Sequence, residues 1–103
     1  MTCKLSINEK NMIKKRIKDI LSSEEEVQKI VVFGSFLESD MPNDIDIAVF
    51  QNSSNDYLPL SMKYRRLLRG LLPTIPYDIV PIHFYAKGSF LEHIKTGDII
   101  FER

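Results

Sequence analysis

The spacing of hydrophobic residues changes period several times along the chain. Ile13, Ile17, Ile20 and Leu21 recur at helical spacing behind Ser6 and Asn8, either of which can cap a first helix. Lys10, Lys14, Lys15, Arg16 and Lys18 fill the other positions and read as a solvated face rather than a nucleic-acid patch. The polar run from Ser22 to Glu26 ends that helix. Val27 to Phe33 is then a strand, β-branched and aromatic from Ile30 onward, that stops at Gly34-Ser35. A second strand runs from Asp44 to Phe50, with Asp44, Asp46 and Ala48 on one face and Ile45, Ile47 and Val49 on the other. Two strands joined by a short connection predict antiparallel neighbours.

Gln51 to Asp56 is a polar breaker run and predicts a surface loop. From Tyr57 to Leu72 helical spacing returns, carried by Leu60, Tyr64, Leu67 and Leu71, with Pro59 tolerated only near the first turn. Pro73 and Pro76 end this helix. Tyr77 to Ile82 forms a strand whose Pro81 cannot donate a ladder hydrogen bond, so it belongs at a sheet edge. A short helix from Ser89 to Lys95, stopped by Gly97, leads into a last strand from Asp98 to Glu102. Alternating helices and strands place the chain in the α/β (α+β) class, expected as one domain over residues 1–103.

Composition narrows the function. With 103 residues and 44% hydrophobic content there is material for one core, and an acceptor site of any size is expected to come from a partner, as a homo- or hetero-oligomer. Fourteen basic residues balance fourteen acidic ones, so no global field draws in nucleic acid. Cys3 is the only cysteine, which leaves no intrachain disulfide or cysteine metal cluster and fits a reducing compartment. No secretory segment is read at the start, and no stretch approaches the roughly 20 apolar residues of a membrane span. A cytoplasmic protein is expected.

The chemistry lies between the first two strands. At Gly34-Ser35 a residue without Cβ lets the backbone turn sharply and approach a ligand. Asp44 and Asp46 are like charges roughly 7 Å apart on one face of a strand. They repel each other and are costly to desolvate unless a cation sits between them, and an oxygen-only site suits a hard cation of the magnesium type. A glycine–serine loop beside such a pair points to chemistry on a nucleoside triphosphate. Alone, each motif is a common turn or a common strand start; the order, the short gap and the flanking hydrophobic runs join them.

In this pattern, with Asp78 in the strand Tyr77 to Ile82 as a third carboxylate, the chain resembles the DNA polymerase β-like nucleotidyltransferases. Within that superfamily it is similar to the minimal nucleotidyltransferases. The segment from Ser89 to Phe101 resembles the closing helix and strand of that family, so the likeness spans nearly the whole chain. Between Ser35 and Asp44 stand eight residues, a shorter loop than many relatives carry and one without their Arg-Gly. The resemblance implies a small mixed β-sheet covered by helices. It implies two Mg2+ ions about 3.5–4 Å apart held by Asp44, Asp46 and Asp78, with ATP as nucleotide substrate and Gly34 and Ser35 against its phosphates. It also implies AMP transfer to a hydroxyl, plausibly a tyrosine of an all-helical HEPN-type partner that the chain, as antitoxin, would adenylylate.

The contrasting reading is a binding module of the same fold that neutralises or scaffolds a partner without chemistry. Transfer to a small molecule would ordinarily call for a further acceptor domain. Lys63, Arg65, Arg66 and Arg69 are read as ordinary solvated charges, with one triphosphate-binding cation among them as the second reading. His83 and His93 are not needed for the reaction, and Tyr57, Tyr64, Tyr77 and Tyr85 read as core or rim. Leu58, Leu60 and Met62 are the candidates for an apolar docking face.

Overall fold

The computed structural model describes residues 6–38, 44–69, 76–84, 86, 88 and 90–103, apart from the side chains of Ser35, Glu38, Phe90, Glu92 and His93. Cys3, the second half of the loop before Asp44, Leu71, Leu72, Pro73, Tyr85 and Ser89 lie outside the described residues. Helix α1 is Ile7–Leu21, β1 is Val27–Phe33 and α2 is Ser35–Glu38. Then follow β2 (Ile45–Gln51), α3 (Tyr57–Leu67), β3 (Tyr77–His83), α4 (Phe90–Lys95) and β4 (Asp98–Glu102). The four strands make one mixed sheet in the order β3-β2-β1-β4, with β1 antiparallel to both β2 and β4 and β2 parallel to β3. Pro81 is on the edge strand β3, as its missing N–H predicts.

Ser6, not Asn8, caps α1. Its hydroxyl accepts from the Glu9 N–H at 3.1 Å while the Glu9 carboxylate accepts from the Ser6 N–H at 3.1 Å, so two orphan donors are satisfied at once. Ile17 and Leu21 carry this helix onto the sheet, where they meet Ile30, Val32, Ile45, Ile47, Val49 and Ile79. The opposite sheet face carries Val31 and Ala48 and is covered by Ile94 of α4, with Phe33, Phe50, Ile82 and Leu91 around them. Lys14 is not merely solvated: its ammonium lies 2.7 Å from Asp98 of β4.

Four expectations need correction. The buried stripe of α3 is Leu60, Tyr64 and Leu68, a spacing of four and four, and Leu67 is turned toward solvent. With two leucines adjacent, either spacing suits a helix, and the direction of the sheet decides between them. Leu60, 2% exposed, is therefore core and not docking surface, while Leu58 (65%) and Met62 (57%) are exposed. Gln51 is not part of a surface loop; it is the buried last residue of β2, and its amide oxygen accepts from both the Ser53 N–H and the Ser53 hydroxyl at 2.6 Å. Gly97 does follow α4, but not for a left-handed cap. A Cβ there would stand 2.6 Å from Val31 Cγ1 and 2.8 Å from the Val32 carbonyl oxygen, so close approach to β1 is what requires glycine.

Tyr64 joins α3 to the start of β1. Its ring is buried and its hydroxyl donates to Glu26 Oε2 at 2.9 Å, where Lys63 donates at the same distance while also pairing with Glu24 at 2.7 Å. Burial opposes the charge on Glu26, but bonds from Lys63, its own backbone and Tyr64 outweigh it and hold the carboxyl below its ordinary 4.5. Replacing Tyr64 with Phe should cost about 1–2 kcal/mol at neutral pH, read as a drop in Tm of several degrees. A lowered native pKa stabilises above the unfolded value and is lost as pH falls through it. Thermal denaturation should therefore show the gap between wild type and Tyr64→Phe narrowing below pH 4.5.

Candidate active site

Two neighbouring strands set the site. Asp44 immediately precedes β2, and the Ile45 N–H donates to the Pro76 carbonyl at 3.0 Å, tying the beginning of β2 to the beginning of β3. From there the parallel register sets Asp46 beside Asp78 and Ile47 beside Ile79. The alternation that buries Ile45, Ile47, Val49 and Ile79 under α1 and α3 turns Asp46 and Asp78 to the other face, and Asp44 joins them two residues earlier. One carboxylate oxygen from each of Asp44, Asp46 and Asp78 lies within 4.8 Å of the others. Asp44 and Asp46 are half-buried and Asp78 is exposed.

Gly34 closes the site on the β1 side, where Phe33 is paired with Asp46. Its φ of +83° is in the left-handed region, and a Cβ at this position would run into the Asp46 carboxylate. Both conditions select glycine: the first by conformation, the second by space. The expected loop does not begin at Ser35. Residues Ser35–Glu38 instead form one turn of helix, because Phe36 is fully buried and Leu37 packs against the same core. The Ser35 hydroxyl lies outside the described residues.

The electrostatics of the cluster are unfavourable as they stand. Burial pushes the Asp46 carboxyl above its ordinary 3.8, and the charges of Asp44 and Asp78 push it further. Arg65 offsets part of this. Its Nη2 lies 3.5 Å from Asp78 Oδ1 and its Nη1 donates to the Tyr77 carbonyl at 3.4 Å. Of the four cations that the sequence offered, Lys63 is engaged with Glu24 and Glu26, and Arg66 and Arg69 have no ion pair among the described residues. His83 sits at the opposite end of β3 from Asp78. Tyr77 is a rim residue whose hydroxyl donates to the Arg65 carbonyl at 3.0 Å. An apolar groove of about 350 Å³ lies between β1, β4 and α4, lined by Val31, Phe50, Leu91, Ile94 and Ile99 with Lys29 and Lys95. No carboxylate of the cluster reaches it.

Three carboxylates with one exposed guanidinium make an oxygen-only donor set left strongly negative, a set that fits Mg2+ or Mn2+ and does not suit softer metals. A raised native pKa means that ionised Asp46 opposes folding once pH exceeds its folded value. The effect is absent well below 3.8, where both states are protonated. Asp46→Asn should therefore raise the Tm of the metal-free protein at pH 7, with the gain fading as pH is lowered through the carboxylate range. A melting curve unchanged at pH 7 would contradict this.

Comparison with known proteins supplies the family. The family model described as polymerase beta, nucleotidyltransferase matches residues 15–103, a span that contains Gly34, Ser35 and all three carboxylates. No curated protein matches the chain. Among solved structures, the chain is similar to one in the complex of tri-AMPylated Shewanella oneidensis HEPN toxin with MNT antitoxin. There the identity is 21% and the TM-score 0.68, over 91% of this chain and 73% of that one. A second likeness is to the MntA-HepT toxin–antitoxin, at 20% identity and a TM-score of 0.65, over 90% of this chain and 73% of that one. At these identities the structures speak for the fold, and the family model, which covers most of the chain, decides the membership: this chain belongs to the polymerase β nucleotidyltransferase family.

Proposed function

We propose that this chain is a Mg2+-dependent nucleotidyltransferase that moves AMP from ATP to a hydroxyl of a helical HEPN-type protein, as the antitoxin of a toxin–antitoxin pair. The observation that carries the reading is the convergence of Asp44, Asp46 and Asp78, with one oxygen each within 4.8 Å, beside a glycine whose backbone must pass close to Asp46. The acceptor class is supported by the similar complex, whose HEPN toxin is tri-AMPylated.

In this reading Asp44 and Asp46 would hold two Mg2+ ions, with Asp78 completing the second site. When bound, such ions balance charge on the triphosphate and lower the pKa of the attacking hydroxyl. The acceptor oxygen forms its bond to the α-phosphorus as the bond to pyrophosphate breaks, and the hydroxyl proton leaves with no covalent enzyme intermediate. Gly34 leaves its backbone open to the phosphates, and Ser35 is the candidate hydroxyl donor to the departing pyrophosphate. Asp46, half-buried and beside the charges of Asp44 and Asp78, would be relieved by the added positive charge.

The outward face of α3 is proposed as the place where the acceptor protein docks. Leu58, Met62, Arg66 and Arg69 follow one another at steps of four, four and three, with Arg65 at their edge toward β3, so they share the side away from Leu60, Tyr64 and Leu68. Among the described residues only Asp78 offsets these arginines. The complementary occupant is a helical surface of the acceptor that is apolar at its centre and acidic at its rim. Arg65, which touches both this face and Asp78, would lie between the docked surface and the carboxylates.

Two measurements test the proposal. With purified HEPN-type partner, ATP and Mg2+, Asp44→Asn, Asp46→Asn and Asp78→Asn should each lower nucleotide transfer about a hundredfold or more, and Ser35→Ala about tenfold. Neutralisation of the partner without transfer by the wild type, undiminished in the Asp variants, would leave a binding module in place of the enzyme. Independently, Leu58→Glu and Met62→Glu should leave the melting temperature near wild type while weakening the complex about tenfold or more in a titration. Unchanged affinity in both variants would move the docking face elsewhere.

A further inference from the structure

Arg65 reaches from α3 to β3 with a guanidinium whose three nitrogens are all engaged. Each nitrogen of its guanidinium has a partner: Nε the hydroxyl of Ser61 at 3.5 Å, Nη1 the Tyr77 carbonyl at 3.4 Å, and Nη2 the Asp78 carboxylate at 3.5 Å. Ser61 is buried one turn earlier on α3, and the Tyr77 hydroxyl returns a bond to the Arg65 carbonyl at 3.0 Å. Helix α3 and strand β3 thus clasp each other around this one side chain, and the planar fork is aimed before any ligand arrives. All these contacts are near the upper limit for a hydrogen bond except the clasp from Tyr77. The pair with Asp78 is also open to water, with the two side chains 45% and 61% exposed.

We propose that Arg65 is a displaceable counter-ion of the carboxylate cluster: it occupies Asp78 in the metal-free protein and releases that carboxylate when a divalent cation enters. The inference rests on the metal-centre reading of Asp44, Asp46 and Asp78. A guanidinium offers one charge to one carboxylate through exposed contacts, whereas a divalent ion offers two charges to three carboxylates that repel each other, so the ion wins the competition. The guanidinium keeps Ser61 and the Tyr77 carbonyl after release, so it remains beside the site, and metal binding has to overcome the Asp78 pair alone. Lys63 cannot take this role, since Glu24 and Glu26 already hold it.

The test uses Mn2+ alone, titrated into the full-length protein and followed through the electron paramagnetic resonance signal of free Mn2+. Arg65→Gln removes the competitor and should lower the Kd for Mn2+ about two- to fivefold, the range an exposed ion pair allows. Arg65→Lys, which keeps a charge but loses the fork, should fall between wild type and Arg65→Gln. In the wild type, the side-chain Nε–Hε resonance of Arg65 should move on saturation with Mg2+, a readout that does not depend on how any variant folds. An equal or weaker Kd in Arg65→Gln, or a resonance that Mg2+ leaves in place, overturns the proposal while the metal centre stands. Absence of Mn2+ binding in wild type and variants alike overturns both.

Discussion

The parallel register between β2 and β3 is the constraint on which the site depends. It is pinned where the Ile45 N–H meets the Pro76 carbonyl, and it brings Asp46 beside Asp78 against their mutual repulsion. The same two strands carry Ile45, Ile47, Val49 and Ile79 on their other face, all fully or almost fully buried. Each such side chain stabilises the fold by about 1.5–3 kcal/mol on burial, so one face of β2 and β3 can hold in place a cluster that the other face disfavours. A one-residue slip of either strand would turn its carboxylates into the core and its isoleucines out, which makes the register self-enforcing.

Two glycines show how closely backbones approach at the two ends of this arrangement. Gly34 needs both a left-handed φ and an empty Cβ position, because Asp46 fills the space a side chain would take. Gly97 needs only the space, against Val31 and the Val32 carbonyl. The first lies beside the carboxylate cluster and the second in the joint between α4 and β1, so the same residue type makes room for a side chain at one position and for a strand at the other.

Much of the architecture was legible in the sequence because its signals were local and redundant. The limits of β1 coincide with a change from charged residues to β-branched ones and then to Gly34; β4 follows the stop at Gly97; Pro81 marked an edge strand. What escaped depended on partners distant in sequence. The adjacent pair Leu67-Leu68 allowed two phases for α3, and only the sheet beneath chose Leu68. Phe36 and Leu37 look like loop residues in a window of one turn, yet their burial winds Ser35–Glu38 into a helix. Gln51 carries a polar side chain into the interior because Ser53, two residues on, supplies both of its bonds. Asp44 and Asp46 were nominated by alternation and Asp78 by the family resemblance, and the fold brings the three together. Which of Lys63, Arg65, Arg66 and Arg69 faces Asp78 was not legible, since it rests on how α3 lies against β3.

Helix α3 therefore does three things with three of its sides. Leu60, Tyr64 and Leu68 bury it against the sheet; Lys63 and the Tyr64 hydroxyl bind it to Glu24 and Glu26 at the start of β1; Arg65 holds it to Tyr77 and Asp78 at the start of β3. Of these, the first two are sheltered or multiply bonded, and the last is exposed and close to its distance limits. An exposed single pair contributes little to stability, so the fold loses little when Asp78 turns to another cation. That difference in strength is what allows the carboxylate cluster to exchange its counter-ion without disturbing the core that positions it.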